Sequence, residues 1–264
     1  MNNDIVKITK QGRIAVVRFD RGQDPNPLSY QTLKALTLAA RSFEDEHEVT
    51  VVVLTGRDRV FTAGSDLKDL EAARLFSAPI SEKRQAASLG AKMCGAWEAL
   101  PQITIAAIEG YCLGGGVSLA VSCDFRVLAK SARLSVPELK LGMNMSWQTL
   151  PRLTNLVGPA RAKRIVLLAE MIPAHQALDW GLADWVVDDG QAFEAALALA
   201  DKIAAHPPIP VAMTKESINA HATALNRVAS YMDHDQLTLT TLAQDHLEGL
   251  TAYTQGRKPD FKGE

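Results

Sequence analysis

The chain has 264 residues, 47% hydrophobic and 22% charged, with a formal net charge of −2. That length makes one large domain, or one domain with an appendage, and it can bury a sizeable core. With no basic run or stripe, the composition argues against a nucleic-acid partner.

The N-terminus, MNNDIVKITKQG, lacks the charged-then-apolar pattern of an export signal. Cys94, Cys112 and Cys123 are an odd number, at spacings that fit no metal or disulfide pattern. Three buried thiols in a reducing compartment are the reading, so a cytoplasmic location is expected.

In chain order, Ile5 to Thr9 and Arg13 to Phe19 read as strands parted by the turn at Gln11-Gly12. DRGQDPNP, residues 20–27, is a loop. Ser29 caps a helix from Tyr30 to about Asp45, with Leu33, Leu36, Ala40 and Phe43 at helical spacing. Thr50 to Thr55, TVVVLT, is a continuous apolar strand of the kind buried on both faces. A loop from Gly56 to about Ser65 leads to a short helix starting at Asp66, and residues 81–99 suit another.

Residues 103–123 are long enough and nearly uncharged enough to raise a membrane span. Glu109 and four nearby glycines argue against it, since a central carboxylate is costly in lipid and glycines weaken a helix. The better reading is a strand, Ile103 to Ile108, then a helix from about Gly115. Phe125 to Ala129 and Leu134 to Val136 read as strands, and the last third is mainly helical. Strands alternating with helices give an α/β core, residues 1–205, and a helical C-terminal section, residues 206–264. The HPPIP stretch at 206–210 is the candidate hinge between them.

The glycine-rich AIEGYCLGGGVSLA, residues 107–120, carries the chemistry. It fits neither phosphate-loop spacing: there is no G-x-x-x-x-G-K-[ST], and Leu119 breaks G-x-G-x-x-G. GYCLG resembles the nucleophile elbow of dienelactone hydrolases, which would make Cys112 a nucleophile with Asp179 and His206 as candidate partners. No positive neighbour is in local sequence to activate that thiol. Alternatively, the strand-to-helix turn is an anion hole. The first N–H groups of a helix lack internal partners, the dipole adds partial positive charge, and glycines admit a ligand oxygen. Such a hole takes donors from two segments. The loop Phe61-Thr62-Ala63-Gly64-Ser65-Asp66-Leu67, after a buried strand and before a helix, can supply the second.

FTAGSDL at 61–67, AAIEGYCLGGGVSLAVSCDFRVLA at 106–129 and LSVPELKLG at 134–142 resemble the crotonase superfamily, the enoyl-CoA hydratase/isomerase family. QALDWGLADWVV at 176–187 and EGLTAYTQGRKPDF at 248–261 extend the resemblance over almost the whole chain, in order and in register. It implies a spiral of β-β-α units with a C-terminal helical trimerisation section, and a homotrimer or homohexamer. It implies acyl-CoA thioester substrates and no metal or bound cofactor, coenzyme A being part of the substrate. It also implies that two backbone N–H groups stabilise a thioester enolate.

Carried over by position, those donors are Ser65 and Gly115. Ala63, Gly64, Asp66, Leu67, Leu113 and Gly114 would border the substrate, with Asp66 as a helix cap. Hydratases of the family use two glutamates. The one after Pro137 is present as Glu138, but the other position holds Ser118, which cannot act as acid or base near neutral pH. Where hydratases carry a proline and then Gly-Gly-Thr, this chain has Met145-Ser146-Trp147-Gln148-Thr149-Leu150, so Asn144, Met145 and Trp147 are expected to line the acyl pocket.

One carboxylate and an oxyanion hole are enough for a 1,3-proton shift. The expected activity is therefore a Δ3,Δ2-enoyl-CoA isomerase, with Glu138 as base and its pKa raised by an apolar pocket. Hydration through Ser118 and a water, or an acyl-CoA-binding member without chemistry, remain open. The histidines at 47, 175, 206, 221, 234 and 246 match no catalytic position and read as surface or structural. Lys68, Lys215, Arg257 and Lys258 are candidate contacts for the CoA phosphates.

Overall fold

The computed structural model describes residues 5–23 and 25–264; the first four residues and Asp24, in the predicted loop, lie outside them. A six-stranded sheet has the order β1-β2-β3-β4-β6-β9, and a three-stranded sheet the order β5-β7-β8. β1 (Val6–Gln11) and β2 (Ile14–Phe19) form an antiparallel hairpin. β3 (Val51–Thr55), β4 (Ile103–Ile108), β6 (Phe125–Ala129) and β9 (Trp185–Val187) then add in parallel.

Both faces of this sheet are covered, which is why TVVVLT is apolar without alternation. Val52 and Leu54 face a core with Leu36 of α1 (Tyr30–Arg41) and with Met93 and Trp97 of α3 (Ile80–Glu98). Val51 and Val53 face Ala192, Ala196 and Ala200 of α7 (Ala192–Ala204). Each fully buried valine or leucine contributes roughly 1.5–3 kcal/mol. The Trp97 indole N–H also donates to the Leu36 carbonyl at 3.2 Å.

The second sheet makes the fold a spiral. From β4 the chain turns at Glu109-Gly110 into β5 (Tyr111–Leu113), and then enters α4 (Gly115–Ala120). From β6 it turns at Lys130 to Ala132 into β7 (Arg133–Ser135), which pairs in parallel with β5. β8 (Ile172–Pro173) closes the small sheet, and α6 (Ala174–Trp180) returns the chain to β9. The chain thus alternates between a large and a small sheet, as expected of the spiral that the resemblance implies.

Residues 103–123 are thus strand, strand and helix. Among the described residues no helix is long and apolar enough to cross a membrane. The Glu109 carboxylate accepts the N–H groups of Gly190 and Ala192, at 3.2 and 3.0 Å, capping the start of α7. β5 is a strand that the expected turn at GYCLG did not include, because three residues leave too little pattern to see. The helix expected from Asp66 instead begins at Leu70, as α2 (Leu70–Phe76), with Asp69 as its cap accepting the Glu71 N–H at 3.0 Å. Asp66 pairs with Arg21 and accepts the Lys68 N–H at 2.9 Å, so its role as a helix cap is corrected.

After α5 (Thr149–Leu168), α6 and α7, the chain breaks at His206-Pro207 into α8 (Pro208–Ala222) and α9 (Asn226–Ser230). α10 (Asp233–Thr241) and α11 (Gln244–Gln255) then fold back over the core. Arg84 of α3 holds Asp235 of α10 at 2.5 Å, and Gly249 of α11 lies against the backbone of Leu141.

Candidate active site

Two loops meet where the spiral's first turns overlap. Thr62 and Cys112 form a parallel bridge, in which the Leu113 N–H donates to the Thr62 carbonyl at 3.0 Å. Gly64 allows this approach: a Cβ there would meet the Leu113 carbonyl oxygen at 2.6 Å. Leu28 bridges Ser65 by donating to the Gly64 carbonyl, at 2.7 Å, and accepting from the Asp66 N–H, at 3.0 Å. That pairing turns the Ser65 N–H away from Leu28. Gly115 opens α4, so its N–H has no partner within the helix. Neither N–H has an acceptor among the described residues, and Ser65 and Gly115 line one cavity of about 560 Å³.

Glu138 lines the same cavity. It begins a short 3₁₀ turn, Glu138–Leu141, that follows Pro137 and ends at the left-handed Gly142. Its Oε2 is buried and has no hydrogen-bond partner. Desolvation pushes its pKa up to about 7. The Glu138 turn is held by its neighbours: Lys140 Nζ donates to the Ala169 carbonyl at 2.6 Å, and His246 Nδ1 meets the Leu141 carbonyl at 2.7 Å. Since a carbonyl only accepts, Nδ1 carries the proton in that contact. Gly114 lies directly beside the carboxylate, and a Cβ there would meet Oε1 at 2.6 Å.

The cavity's other carboxylates are engaged. Asp66 pairs with Arg21, and Asp69 accepts the N–H groups of Tyr30 and Glu71 at 2.7 and 3.0 Å. Glu138 is the acid left unpaired in an apolar wall, a combination typical of a functional carboxylate.

The cavity brings together Ser65, Asp66, Leu67, Gly115, Glu138, Met145 and Trp147, with Asn144 beside them. Ala63, Gly64, Leu113 and Gly114 do not line it; they form the crossing that supports it. Ser118 is a clearer correction. It is 0% exposed, it does not line the cavity, and its hydroxyl shares a hydrogen bond of 2.7 Å with Thr149 Oγ1. Lys215 is corrected too: it is buried and donates to Asp124 and to the Gln102 carbonyl, at 2.7 and 2.8 Å. Arg257 is held bidentately by Glu248. Lys68 remains exposed.

The Cys112 nucleophile is excluded by its surroundings. The side chain is buried in the core, and desolvation raises its pKa above the ordinary thiol range. Asp179 and His206 are both exposed. Cys94 and Cys123 are likewise buried, pushed up to about 11 and about 12. Iodoacetamide applied to the native protein is expected to label none of the three and to leave activity intact, by intact-mass measurement and assay. Rapid labelling of Cys112 with loss of activity would contradict this.

Sequence reasoning missed the roof of the site. Tyr30, Lys83, Gly90, Leu237, Thr238, Thr241, Leu242, His246 and Leu250 all line the cavity. Most lie on α10 and α11, more than 90 residues from Glu138, where no local pattern marks a pocket. Gly90 is a glycine inside a helical run, but so is Gly95, which has nothing packed against it, so the sequence does not single Gly90 out.

The chain matches the enoyl-CoA hydratase/isomerase family over residues 9–264. It is 32% identical over 259 residues to the short-chain-enoyl-CoA hydratase of Clostridium acetobutylicum, covering 98% of this chain and 97% of that one. It is 31% identical over 259 residues to the 2,3-dehydroadipyl-CoA hydratase of Escherichia coli, covering 97% and 98%. The structure of an enoyl-CoA hydratase from Bacillus anthracis superposes with a TM-score of 0.76 at 31% identity, covering 99% of this chain and all 100% of that one. An enoyl-CoA hydratase from Mycobacterium avium subsp. paratuberculosis gives 0.86 at 25%, covering 98% of each. The chain belongs to the enoyl-CoA hydratase/isomerase family. It is an enzyme of that type, with the crotonase fold and an acyl-CoA substrate.

Proposed function

We propose that the enzyme is a Δ3,Δ2-enoyl-CoA isomerase working with one carboxylate. The observation that carries this reading is a desolvated Glu138, its Oε2 without a partner, in a cavity that Ser118 does not line. A 3-enoyl thioester has acidic protons at C2, between the carbonyl and the alkene. Glu138 takes one. The electron pair delocalises to the thioester oxygen, forming a dienolate held by the N–H groups of Ser65 and Gly115. Protonated Glu138 then returns the proton at C4, and the double bond moves into conjugation. General acid–base help of this kind is worth about 10²–10⁴-fold, and each oxyanion donor about 10²–10³-fold. A Glu138 pKa near 7 suits a group that must both take and return a proton.

Hydration is the second reading, favoured by the relatives' names, which are hydratases. It needs a water held and deprotonated while C2 gains a proton. With Ser118 paired to Thr149 and not lining the cavity, Glu138 would have to do both.

The test is a 3-enoyl-CoA substrate, followed by the absorbance of the conjugated thioester. The expected result is a rise that Ser118→Ala leaves within about threefold, since that change removes only a neutral hydrogen bond of about 1 kcal/mol, made to Thr149 outside the cavity lining. Absence of any rise, or its loss in Ser118→Ala, would sink the single-acid reading.

The assembly we propose is a homotrimer or homohexamer. α8, α9 and the turn after them leave Ile209, Met213, Ile218, Leu225, Val228 and Tyr231 exposed, and such a surface favours burial against another subunit. A cytoplasmic location, and no cofactor beyond the substrate's own coenzyme A, complete the reading.

A further inference from the structure

We propose that Trp147 determines which acyl groups the site accepts, by filling the space beside the oxyanion hole where a branch at C2 or C3 of the chain would sit. The inference rests on the acyl-CoA reading above and refines it.

Trp147 is held in an unfavourable conformation. Both Trp147 and Gln148 have left-handed backbones, φ 60° and 59°, in a place with no glycine. Bulky residues adopt that region only where their surroundings impose it. Here two buried groups, Asp233 and Arg152, do so, and the half-buried Glu98 holds the second. The Asp233 carboxylate, at the start of α10, accepts the Gln148 N–H at 2.9 Å. Arg152 donates to the Trp147 and Gln148 carbonyls at 3.0 and 3.1 Å. Glu98 in turn grips Arg152 through two bonds of 2.7 and 2.8 Å.

This clamp sets the indole into a slot between two helices. A Cβ on Gly90 of α3 would lie 1.9 Å from indole Cε2, and a Cβ on Gly115 would lie 2.2 Å from Cζ3. Only glycine leaves room for the ring at either place. The indole therefore rests on Gly115, whose N–H is the proposed oxyanion donor, and it lines the cavity. With the thioester oxygen on that N–H, C1 to C3 of the acyl chain lie beside the ring. A straight chain passes it. A methyl branch at C2 or C3 runs into a wall that the clamp does not let move.

The test is binding of two saturated thioesters that cannot isomerise, butyryl-CoA and isovaleryl-CoA, with free CoA as the reference. The wild-type enzyme is expected to bind butyryl-CoA about tenfold or more tightly than isovaleryl-CoA, the scale of one misplaced methyl group. Trp147→Ala is expected to bring the two within about twofold, by tightening the branched ester, with CoA affinity unchanged. Asp233→Asn, which weakens the clamp and leaves the ring in place, should shift the ratio the same way by less. If Trp147→Ala loses CoA binding through misfolding, Trp147→Leu carries the test, with the same ratio change expected.

An unchanged ratio in a variant that still binds CoA would overturn the proposal. So would a wild-type enzyme that does not discriminate between the two esters. Loss of the isomerase reading alone would leave these affinities as expected. Binding of neither thioester would instead overturn the acyl-CoA reading, and this inference with it.

Discussion

Glu138→Gln is expected to abolish the proton shift, lowering kcat by about 10³-fold or more, because no other unpaired carboxylate lines the cavity to replace it. The change keeps shape and removes the base, so the affinity for a saturated acyl-CoA should hold. Stability is expected to move the other way. The carboxyl's pKa is raised to about 7 in the folded protein, from 4.5 as its ordinary value. The folded state thus favours the protonated form. That contribution is fully present below the unfolded pKa, and it is lost as pH rises through about 7. Above that, the fold carries a buried ionised carboxylate at a cost on the order of 3 kcal/mol. Glu138→Gln should therefore match wild type in thermal stability at pH 5 and exceed it at pH 8. For catalysis, the base must be ionised, so kcat/KM for the wild type should fall as pH drops below about 7. Equal stabilities at pH 8 and a flat pH profile would show a carboxylate that titrates like a free one.

Gly114→Ala is expected to be nearly as damaging, for two separate reasons. Gly114 has φ 51° and ψ −118°, a backbone open to glycine and costing other residues about 1–3 kcal/mol. Its new Cβ would also lie 2.6 Å from Glu138 Oε1. Either Glu138 or the start of α4 must move, and both donor and base depend on that junction. A loss of about 100-fold or more in kcat is expected, with a lower melting temperature, since misplacement of about 1 Å has that effect. A variant with near-wild-type turnover would mean that the β5–α4 junction does not set the position of the base.

Gly114 and Glu138 also show what the sequence could and could not reveal. The two loops that meet at the cavity, the glutamate at 138 and the serine at 118 were legible because each motif is local and the motifs lie in register. The alternating strands and helices were legible because TVVVLT, Ile103 to Ile108 and Phe125 to Ala129 are mostly apolar runs rich in β-branched residues, broken only by Arg126 in the last. Of the small sheet only β7 was legible, as the strand at Leu134 to Val136; β5 and β8 were not, because they hold three and two residues. The pairing of Ser118 with Thr149 was not legible, because the two are 31 positions apart and meet only in the fold. The clamp on Trp147 joins Glu98, Arg152 and Asp233 across 135 positions of sequence, and the left-handed pair it imposes runs against the local preference of tryptophan. His246 reads as an ordinary histidine until α11 lays it against Leu141.

Side-by-side turnover of a 3-enoyl-CoA and its 2-enoyl isomer by the same preparation tests the central claim most directly. One follows formation of the conjugated thioester, and the other its loss to water. A single unpaired carboxylate beside two backbone donors predicts that isomerisation outpaces hydration by a wide margin, and that Glu138→Gln removes the isomerisation. Hydration faster than isomerisation would contradict the account, since water would then be held and activated by groups this geometry does not provide.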